Sequence, residues 1–387
     1  MKIFGIFCFR NRFWILLSLC HILILLFLYK KFGFNISNEG DKYLSRAIYI
    51  TKGNFVSSTL QQTFYFAYVI YLSFFTFFKI KTIYIFISTY LISVFSYFKF
   101  YKLICENIDL ETGKFWIFVI GLSPLIQYWQ FTLFSETFFI AVSLLFTYMC
   151  LYPRLKYRAL KVIFFALITM FSRPTGIVTV ICVLVFSAGK NNFFTKKMAI
   201  LLGSFILLIV FIGLIFFFPL PYRDFAKYIS KGSIYFGFPS WSSPELLPGH
   251  YTLFDCYNFI YQKKGLKTLL VLFFQKFNSF YLTTRAYYSD LHNLINGFHH
   301  LFYPFFIISL FLSYKKEREK YSFLLLFFSI VIFNSLIVTL FFNEWSERFT
   351  VNAFPFIILL ANYSLVYSYK TFFGKRLLYF KSKIKLQ

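Results

Sequence analysis

Charged residues are scarce in this sequence: Asp, Glu, Lys and Arg together make up 14% of its 387 residues. A soluble domain carries about 25%, so the composition excludes a water-soluble globule. None of the six cysteines forms a Cys-x-x-Cys pair, which argues against a zinc site or a disulfide framework. The chain also lacks a visible internal repeat, a feature that transporters usually carry.

Apolar residues dominate instead, at 59% of the chain. They form blocks close to the roughly 20 residues that a helix needs to cross a hydrocarbon core of about 30 Å. Blocks such as 201–218 are apolar on every face, which excludes the alternation of a membrane β-barrel. We therefore predict an all-α, polytopic transmembrane helical bundle that forms a single domain over residues 1–387. Its roughly ten spans are expected near 13–30, 82–104, 115–131, 135–152, 160–172, 175–189, 198–219, 299–314, 321–342 and 352–369.

The basic residues set the expected orientation. Lys and Arg number 40 against 14 acidic residues, and many of them lie in short gaps between apolar blocks. The positive-inside rule then places the gaps 153–161, 189–197 and 314–320 in the cytoplasm, together with both termini. The N-terminal segment is expected to be an uncleaved signal anchor. A nucleic-acid partner is not expected, because no segment between the apolar blocks is longer than the loop 220–265.

Two further apolar stretches, 62–78 and 267–282, do not fit this count, because a crossing by either one alone would invert every later loop. We assign both to helices at the outer membrane interface, which suits their Tyr, Gln and Lys content. The alternative is that both cross and that a neighbouring span is misread. Polar outer-face features are then the loops 30–59 and 220–265 and the turns near 131–136, 172–176 and 343–350, so the chemistry is expected on that side.

Asp41 directly follows the first span, in the segment Asn38-Glu39-Gly40-Asp41-Lys42-Tyr43. Tyr43 and Ala47 fit one face of a helix there. A carboxylate held at this place could take a proton from an acceptor hydroxyl. The alternative is a solvated Asp that helps to cap the helix, and spacing alone leaves both interpretations open.

Glu136 and Arg173 stand out more sharply. Glu136 follows Ser135 at the mouth of an apolar block, and an ionisable group near membrane depth costs roughly 2.5 to 3.5 kcal/mol, which favours a partner or a function. Arg173 lies in the turn Ser172-Arg173-Pro174-Thr175-Gly176, where its planar fork of donors suits a lipid phosphate. The alternatives are a carboxylate that pairs with a helix N-terminus and an arginine that contacts ordinary phospholipid.

Together these motifs resemble the GT-C glycosyltransferase superfamily. The resemblance rests on an acidic motif after the first span, Pro124 followed by Ser135-Glu136, the Ser-Arg-Pro-x-Gly turn at 172–176, and Glu347-Arg348-Phe349 followed by Pro355. Its closest form is the PIG-V family of GPI-anchor mannosyltransferases and the bacterial transferases that use dolichyl-phosphate-mannose-type donors. The motifs extend over most of the chain.

The resemblance implies inverting transfer of a monosaccharide from a polyprenyl-phosphate donor to a glycan or lipid acceptor at the extracytoplasmic face of a membrane, here a bacterial inner membrane. It implies Asp41 as the base, Glu136 as a second acidic residue and Arg173 near the donor phosphate. The first motif reads Glu-Gly-Asp instead of the Trp-Asp or Asp-Glu forms of relatives, so the choice between Glu39 and Asp41 stays open. Further candidates for substrate binding are Glu39, Tyr43, Ser135 and Arg348.

Two other functions compete with sugar transfer. One is an O-antigen or capsule polymerase, which would place paired arginines in two large outer loops, and only one such loop exists here. The other is a transporter or flippase of lipid-linked sugar, which would show pseudosymmetry and polar groups at mid-membrane. No metal ligand set is predicted, although two carboxylates could hold Mg²⁺ or Mn²⁺.

Overall fold

The computed structural model describes residues 2–36, 38–54, 63–152, 158–190, 229, 231–232, 251–285, 288–316, 318–341 and 348–384. These residues fold into helices with no β-strand among them, and one isolated bridge joins Asn35 to Thr132. The prediction of an all-α protein is therefore confirmed. The helices are α1 (Lys2–Phe32), α2 (Asn38–Thr51), α3 (Phe66–Phe77), α4 (Ile83–Asn107), α5 (Leu110–Leu122), α6 (Pro124–Tyr128), α7 (Ser135–Leu151), α8 (Arg158–Met170), α9 (Gly176–Lys190), α10 (Leu253–Tyr281), α11 (Asp290–Gly297), α12 (Phe302–Lys316), α13 (Arg318–Phe341) and α14 (Thr350–Ile384).

Five segments among the described residues are long and apolar enough to cross a membrane. They are Arg12–Phe32, Ile83–Asn107, Asp290–Lys315, Lys320–Leu340 and Thr350–Phe372. Long apolar helices of this kind indicate an integral membrane protein. Shorter apolar helices stand at two further predicted spans, 135–152 and 175–189, and at the predicted interfacial stretch 62–78. The predicted span 198–219 lies outside the described residues. The count of about ten spans stays a prediction.

The predicted span 115–131 is wrong as a single helix. Helix α5 ends at Leu122, and Pro124 begins the short α6, which a turn of 3₁₀-helix over Trp129–Phe131 extends. Proline has no N–H to donate and fits best in the first turn of a helix, which is the place that Pro124 takes in α6. The Ser123 hydroxyl accepts a hydrogen bond from the Ile126 N–H and caps that start.

The predicted loops 30–59 and 220–265 both contain helix. Helix α2 occupies the first, with Tyr43 and Ala47 buried on one face as predicted. Helix α10 begins at Leu253, where Thr252 and Asp255 form a capping box, so the end of the second loop is helical and not irregular. Gly265 kinks α10 with a positive φ of 80°, a conformation that glycine adopts without steric cost.

Helix α14 passes through the centre of the bundle and fixes its two ends. Its residues from Val351 to Ser364 are buried against neighbouring helices. Further along the helix, Lys370 pairs with Asp109 at 3.4 Å and with Glu111 at 3.0 Å. About 30 Å of helix separates Lys370 from Thr350, so the two ends lie a hydrocarbon thickness apart. Charged residues of several helices gather at the Thr350 end.

Candidate functional site

Glu136 lies in the first turn of α7, at the end of an irregular segment that follows α6. The bridge between Asn35 and Thr132 ties this segment to the chain just after α1, and the Leu133 N–H donates to the Asn35 carbonyl at 3.0 Å. Phe134 then takes an extended conformation and Ser135 begins the helix. Both Ser135 and Glu136 are fully buried at 0% exposure. The fold therefore buries a carboxylate at a helix N-terminus, where the helix dipole favours negative charge.

Two arginines from distant parts of the chain pair with this carboxylate. Arg173 Nη1 lies 2.5 Å from Glu136 Oε1, and Arg348 Nε donates to the same oxygen. The other oxygen, Oε2, has no hydrogen-bond partner among the residues that the structure describes. A buried carboxylate costs several kcal/mol unless it is paired, so the two guanidinium groups keep Glu136 ionised. We call Glu136, Arg173 and Arg348 the ion-pair cluster.

The turn between α8 and α9 positions Arg173. The Gly176 N–H donates to the Arg173 carbonyl at 2.9 Å, and a side chain on Gly176 would overlap the Thr169 carbonyl oxygen. Arg173 is fully buried, and its guanidinium lies 5.1 Å from the centre of the Phe349 ring. Its Nε and Nη2 have no hydrogen-bond partner in the described part of the chain. Because a guanidinium carries five donors, Arg173 keeps donors for a further anion.

Glu39 of helix α2 is a second carboxylate beside the cluster. Glu39 Oε2 lies 3.9 Å from Arg348 Nη1, and the Glu39 side chain is 29% exposed. Asp41 is exposed and forms no ion pair with any described residue. Successive residues turn about 100° around a helix, so Asp41 and the buried Tyr43 lie on nearly opposite faces. Glu39 is therefore the carboxylate of α2 that pairs with Arg348, whereas Asp41 is exposed on the face opposite Tyr43.

Tyrosines surround the cluster on the side of α2 and α3. Tyr43 packs against Tyr65 with ring centres 5.4 Å apart and meets Tyr68 edge to face. Burial raises the pKa of Tyr43 well above its ordinary value, so its hydroxyl stays protonated and is available as a donor. The sequence reasoning missed Tyr65 and Tyr68. Their spacing of three residues in an apolar helix was the signal that could have found them.

Of the predicted site residues, the structure brings six together: Glu39, Tyr43, Ser135, Glu136, Arg173 and Arg348. Ser135 takes part through its hydroxyl, which accepts a hydrogen bond from Arg173 Nη1 at 3.4 Å. Glu344 and Glu347, also noted in the late motif, lie outside the described residues. The described residues contain no group of three or more His, Cys, Asp or Glu side chains that could hold a metal ion. Since the site's carboxylates face guanidinium groups, this donor set does not fit Mg²⁺ or Mn²⁺.

Two cavities lie near the cluster. The larger, about 1020 Å³, is lined almost wholly by apolar side chains of α3, α4, α7 and α8. Its lining includes Phe171 and Phe138, each two residues from a cluster residue in sequence, but no residue of the cluster itself. The smaller, about 270 Å³, lies among α1, α6 and α11 and includes Phe134 and Arg348 in its lining. The smaller cavity therefore reaches the cluster at Arg348.

No family model, no curated protein and no solved structure matches this chain.

Proposed function

We propose that this chain is a membrane glycosyltransferase of the GT-C type. It moves a monosaccharide from a polyprenyl-phosphate-linked donor to a glycan or lipid acceptor at the extracytoplasmic face, with inversion at the anomeric carbon. The observation that carries the proposal is the ion-pair cluster, in which one buried carboxylate holds two arginines and leaves donors of Arg173 unused. Arginines fixed in this way suit a phosphate that gains charge as a sugar departs.

The apolar cavity supports a lipid-linked donor. A polyprenyl chain needs an apolar groove that reaches the phosphate site, and the cavity of about 1020 Å³ provides one beside Phe171. The Phe171 carbonyl accepts a hydrogen bond from the Ala67 N–H at 3.0 Å, which ties α3 to the turn that carries Arg173. A tail in this groove would therefore bring its phosphate towards Arg173.

The acceptor hydroxyl needs a base, and Glu39 suits this role better than Asp41. In the proposed reaction the hydroxyl oxygen attacks the anomeric carbon, the bond from that carbon to the phosphate oxygen breaks, and polyprenyl phosphate leaves. The proton of the hydroxyl passes to the Glu39 carboxylate. Glu39 is partly exposed and lies next to Arg348, so it combines access with proximity to the cluster. Glu136, held by two arginines, orients them and balances their charge.

The test is a transfer assay in proteoliposomes that contain the full chain and a polyprenyl-phosphate hexose labelled in the sugar. Membrane glycans and lipids of the source cells serve as acceptors. We expect the label to move from the polyprenyl carrier to an acceptor. Arg173→Gln should lower the rate by about 10² to 10³, the usual cost of losing one group that stabilises transition-state charge. Lys267→Gln, which removes an exposed lysine of α10, should leave the rate unchanged.

The other outcomes identify the competing functions. Label that crosses the bilayer while still attached to its carrier would indicate a flippase. Whole repeat units joined to one another, with no transfer of single sugars, would indicate a polymerase. An Arg173→Gln variant that is present in the membrane and keeps full transfer activity would contradict the assigned role of the cluster.

A further inference from the structure

The smaller cavity has the charge and shape of a binding site in its own right. Its volume of about 270 Å³ is close to the lower end of the range for small-molecule sites, about 300 to 1,000 Å³. Among the described residues, its lining has three basic side chains, Lys31, His292 and Arg348, and no acidic one. Arg348 is paired with Glu136 on the cluster side, whereas Lys31 has no carboxylate partner in the described ranges. Lys31 is therefore the cation of this cavity that has no counter-ion among the described residues, and it favours an anion.

The aromatic lining of the cavity points to a sugar. Tyr128, Trp129 and Phe134 all contribute to the wall, and Trp129 packs edge to face against Phe134 with ring centres 5.6 Å apart. Trp129 is 3% exposed, and its indole N–H has no hydrogen-bond partner among the residues described. A buried N–H without a partner is rare in folded proteins. A sugar ring would cover the aromatic faces and its hydroxyl groups would accept from the indole N–H.

The cavity meets the proposed reaction site at Arg348 and Phe134. Arg348 lines the cavity and also pairs with Glu136 and Glu39, and its guanidinium lies 4.5 Å from the centre of the Phe134 ring. Phe138, one helical turn further along α7, lines the apolar cavity instead. The two cavities have different linings, and of the two only the smaller one includes a residue of the cluster.

We infer that the smaller cavity is the acceptor site and that the acceptor is an anionic saccharide, one that bears a carboxylate or a phosphate. That the bound saccharide is the acceptor rests on the proposed function, but binding to the cavity can be tested without any sugar transfer. Lys31 and Arg348 bind the anionic group, and Trp129 and Tyr128 contact the sugar ring.

The test is calorimetric binding to the purified full chain in lipid nanodiscs, with no donor present. The probes are glucuronate, glucose 6-phosphate, neutral glucose and inorganic phosphate. We expect one of the anionic sugars to bind at least tenfold more tightly than glucose or inorganic phosphate. The anionic sugar that binds more tightly shows whether the acceptor carries a carboxylate or a phosphate.

Three variants locate the binding. Lys31→Gln should weaken binding of the preferred sugar by about tenfold, the effect of losing one charge-assisted hydrogen bond. Lys31→Arg, which keeps the positive charge, should restore the binding. Trp129→Phe keeps one aromatic ring, removes the N–H together with the five-membered part of the indole, and should weaken binding several-fold. Lys267→Gln is the matched control and should bind like the unchanged chain. Each variant is first checked for its elution volume and thermal unfolding midpoint, so that a folding defect is not scored as lost binding.

Equal binding of glucose and the anionic sugars, or unchanged binding in Lys31→Gln and Trp129→Phe, would overturn the inference. If binding fails while sugar transfer proceeds, this cavity is not the acceptor site and the proposed function stands. If binding is found while no transfer occurs, the cavity stands as an anionic saccharide site and the proposed function fails.

Discussion

At the scale of single residues, Glu136 is the organising group. One of its oxygens accepts from both Arg173 and Arg348, and residues more than 200 positions apart in sequence are held together as a result. The scarcity of acidic residues made Glu136 predictable as an unusual residue. Its pairing with Arg348 was not predictable, because no local pattern connects a helix start at 135 with a segment near 348.

The roles of Glu39 and Asp41 can be separated by two matched substitutions. Glu39→Gln should lower sugar transfer by about 10² to 10⁴, the usual contribution of a general base, since the carboxylate beside Arg348 is lost. Asp41→Asn should keep transfer within about twofold, because Asp41 lies on the exposed face of α2. The measurement is the initial rate of label transfer at saturating donor. A large loss in Asp41→Asn with normal activity in Glu39→Gln would return the role of base to Asp41.

The ion-pair cluster should also contribute to stability. Glu136→Gln leaves Arg173 buried without its ionic partner, and breaking a buried pair in this way costs about 3 to 5 kcal/mol. Arg173→Met should lower the free energy of unfolding by a similar amount. The double variant should lose clearly less stability than the sum of the two single losses. Thermal unfolding in detergent measures the series. Glu111→Gln, which removes an exposed ion pair with Lys370, serves as the control and should change stability by less than about 1 kcal/mol. Additive losses in the double variant would show that the two groups do not interact.

At the scale of elements, the turn Ser172–Gly176 decides where Arg173 lies. Pro174 and Gly176 were predicted to break the helix there, and the structure confirms a turn between α8 and α9. Gly176 is required for a packing reason, since a side chain would meet the Thr169 carbonyl oxygen and the backbone of Met170. A rigid turn of this kind fixes a guanidinium more tightly than a loop would.

Gly176→Ala tests this element. The added methyl group cannot fit without moving α8 away from α9, so we expect a lower unfolding midpoint and a loss of sugar transfer as Arg173 shifts. Gly297→Ala is the matched control, because an added Cβ there has its nearest neighbour at 3.9 Å, an ordinary contact. Both variants are compared by thermal unfolding and by transfer rate. Equal behaviour of the two would show that the close approach at Gly176 is not needed.

The face of one helix with a strong local pattern was predicted well, whereas two helix starts, at Pro124 and at Leu253, were missed. The buried face of α2 follows from Tyr43 and Ala47, four residues apart on one side of a helix. The break before Pro124 was missed because most residues on both sides of it are apolar, so that 115–131 was assigned to one span. The start of α10 at Leu253 was missed for the opposite reason, since the capping residues Thr252 and Asp255 lie in a polar stretch that resembles a loop.

At the scale of the whole molecule, the bundle has two chemically different ends. One carries the ion-pair cluster near Thr350, and the other carries the exposed pairs of Lys370 with Asp109 and Glu111. Composition alone was enough to predict helices in a membrane. The way in which α2, α7, the turn before α9 and the start of α14 meet at one end depends on long-range packing, which hydropathy does not encode.

The orientation of the two ends can be measured with single cysteine substitutions. Ser45→Cys adds an exposed thiol on α2, near the cluster end, and Glu111→Cys adds one at the Lys370 end. A maleimide that cannot cross the membrane should label Ser45→Cys in intact cells and Glu111→Cys only after permeabilisation, because the basic gaps are expected inside. The unsubstituted chain gives the background from native cysteines. The reverse pattern would place the cluster on the cytoplasmic side.

We propose that a polyprenyl-phosphate sugar reacts at the ion-pair cluster with its tail in the apolar cavity. Photocrosslinking with a donor that carries a diazirine on its first isoprene unit tests where the tail lies. We expect adducts on α3, on α8 and just after α8, at lining residues such as Phe66, Phe165 and Phe171. Unlabelled donor should compete these adducts away, and Arg173→Gln should reduce them. Adducts spread over all lipid-facing helices, insensitive to competitor and to the substitution, would show that the tail does not bind in this cavity.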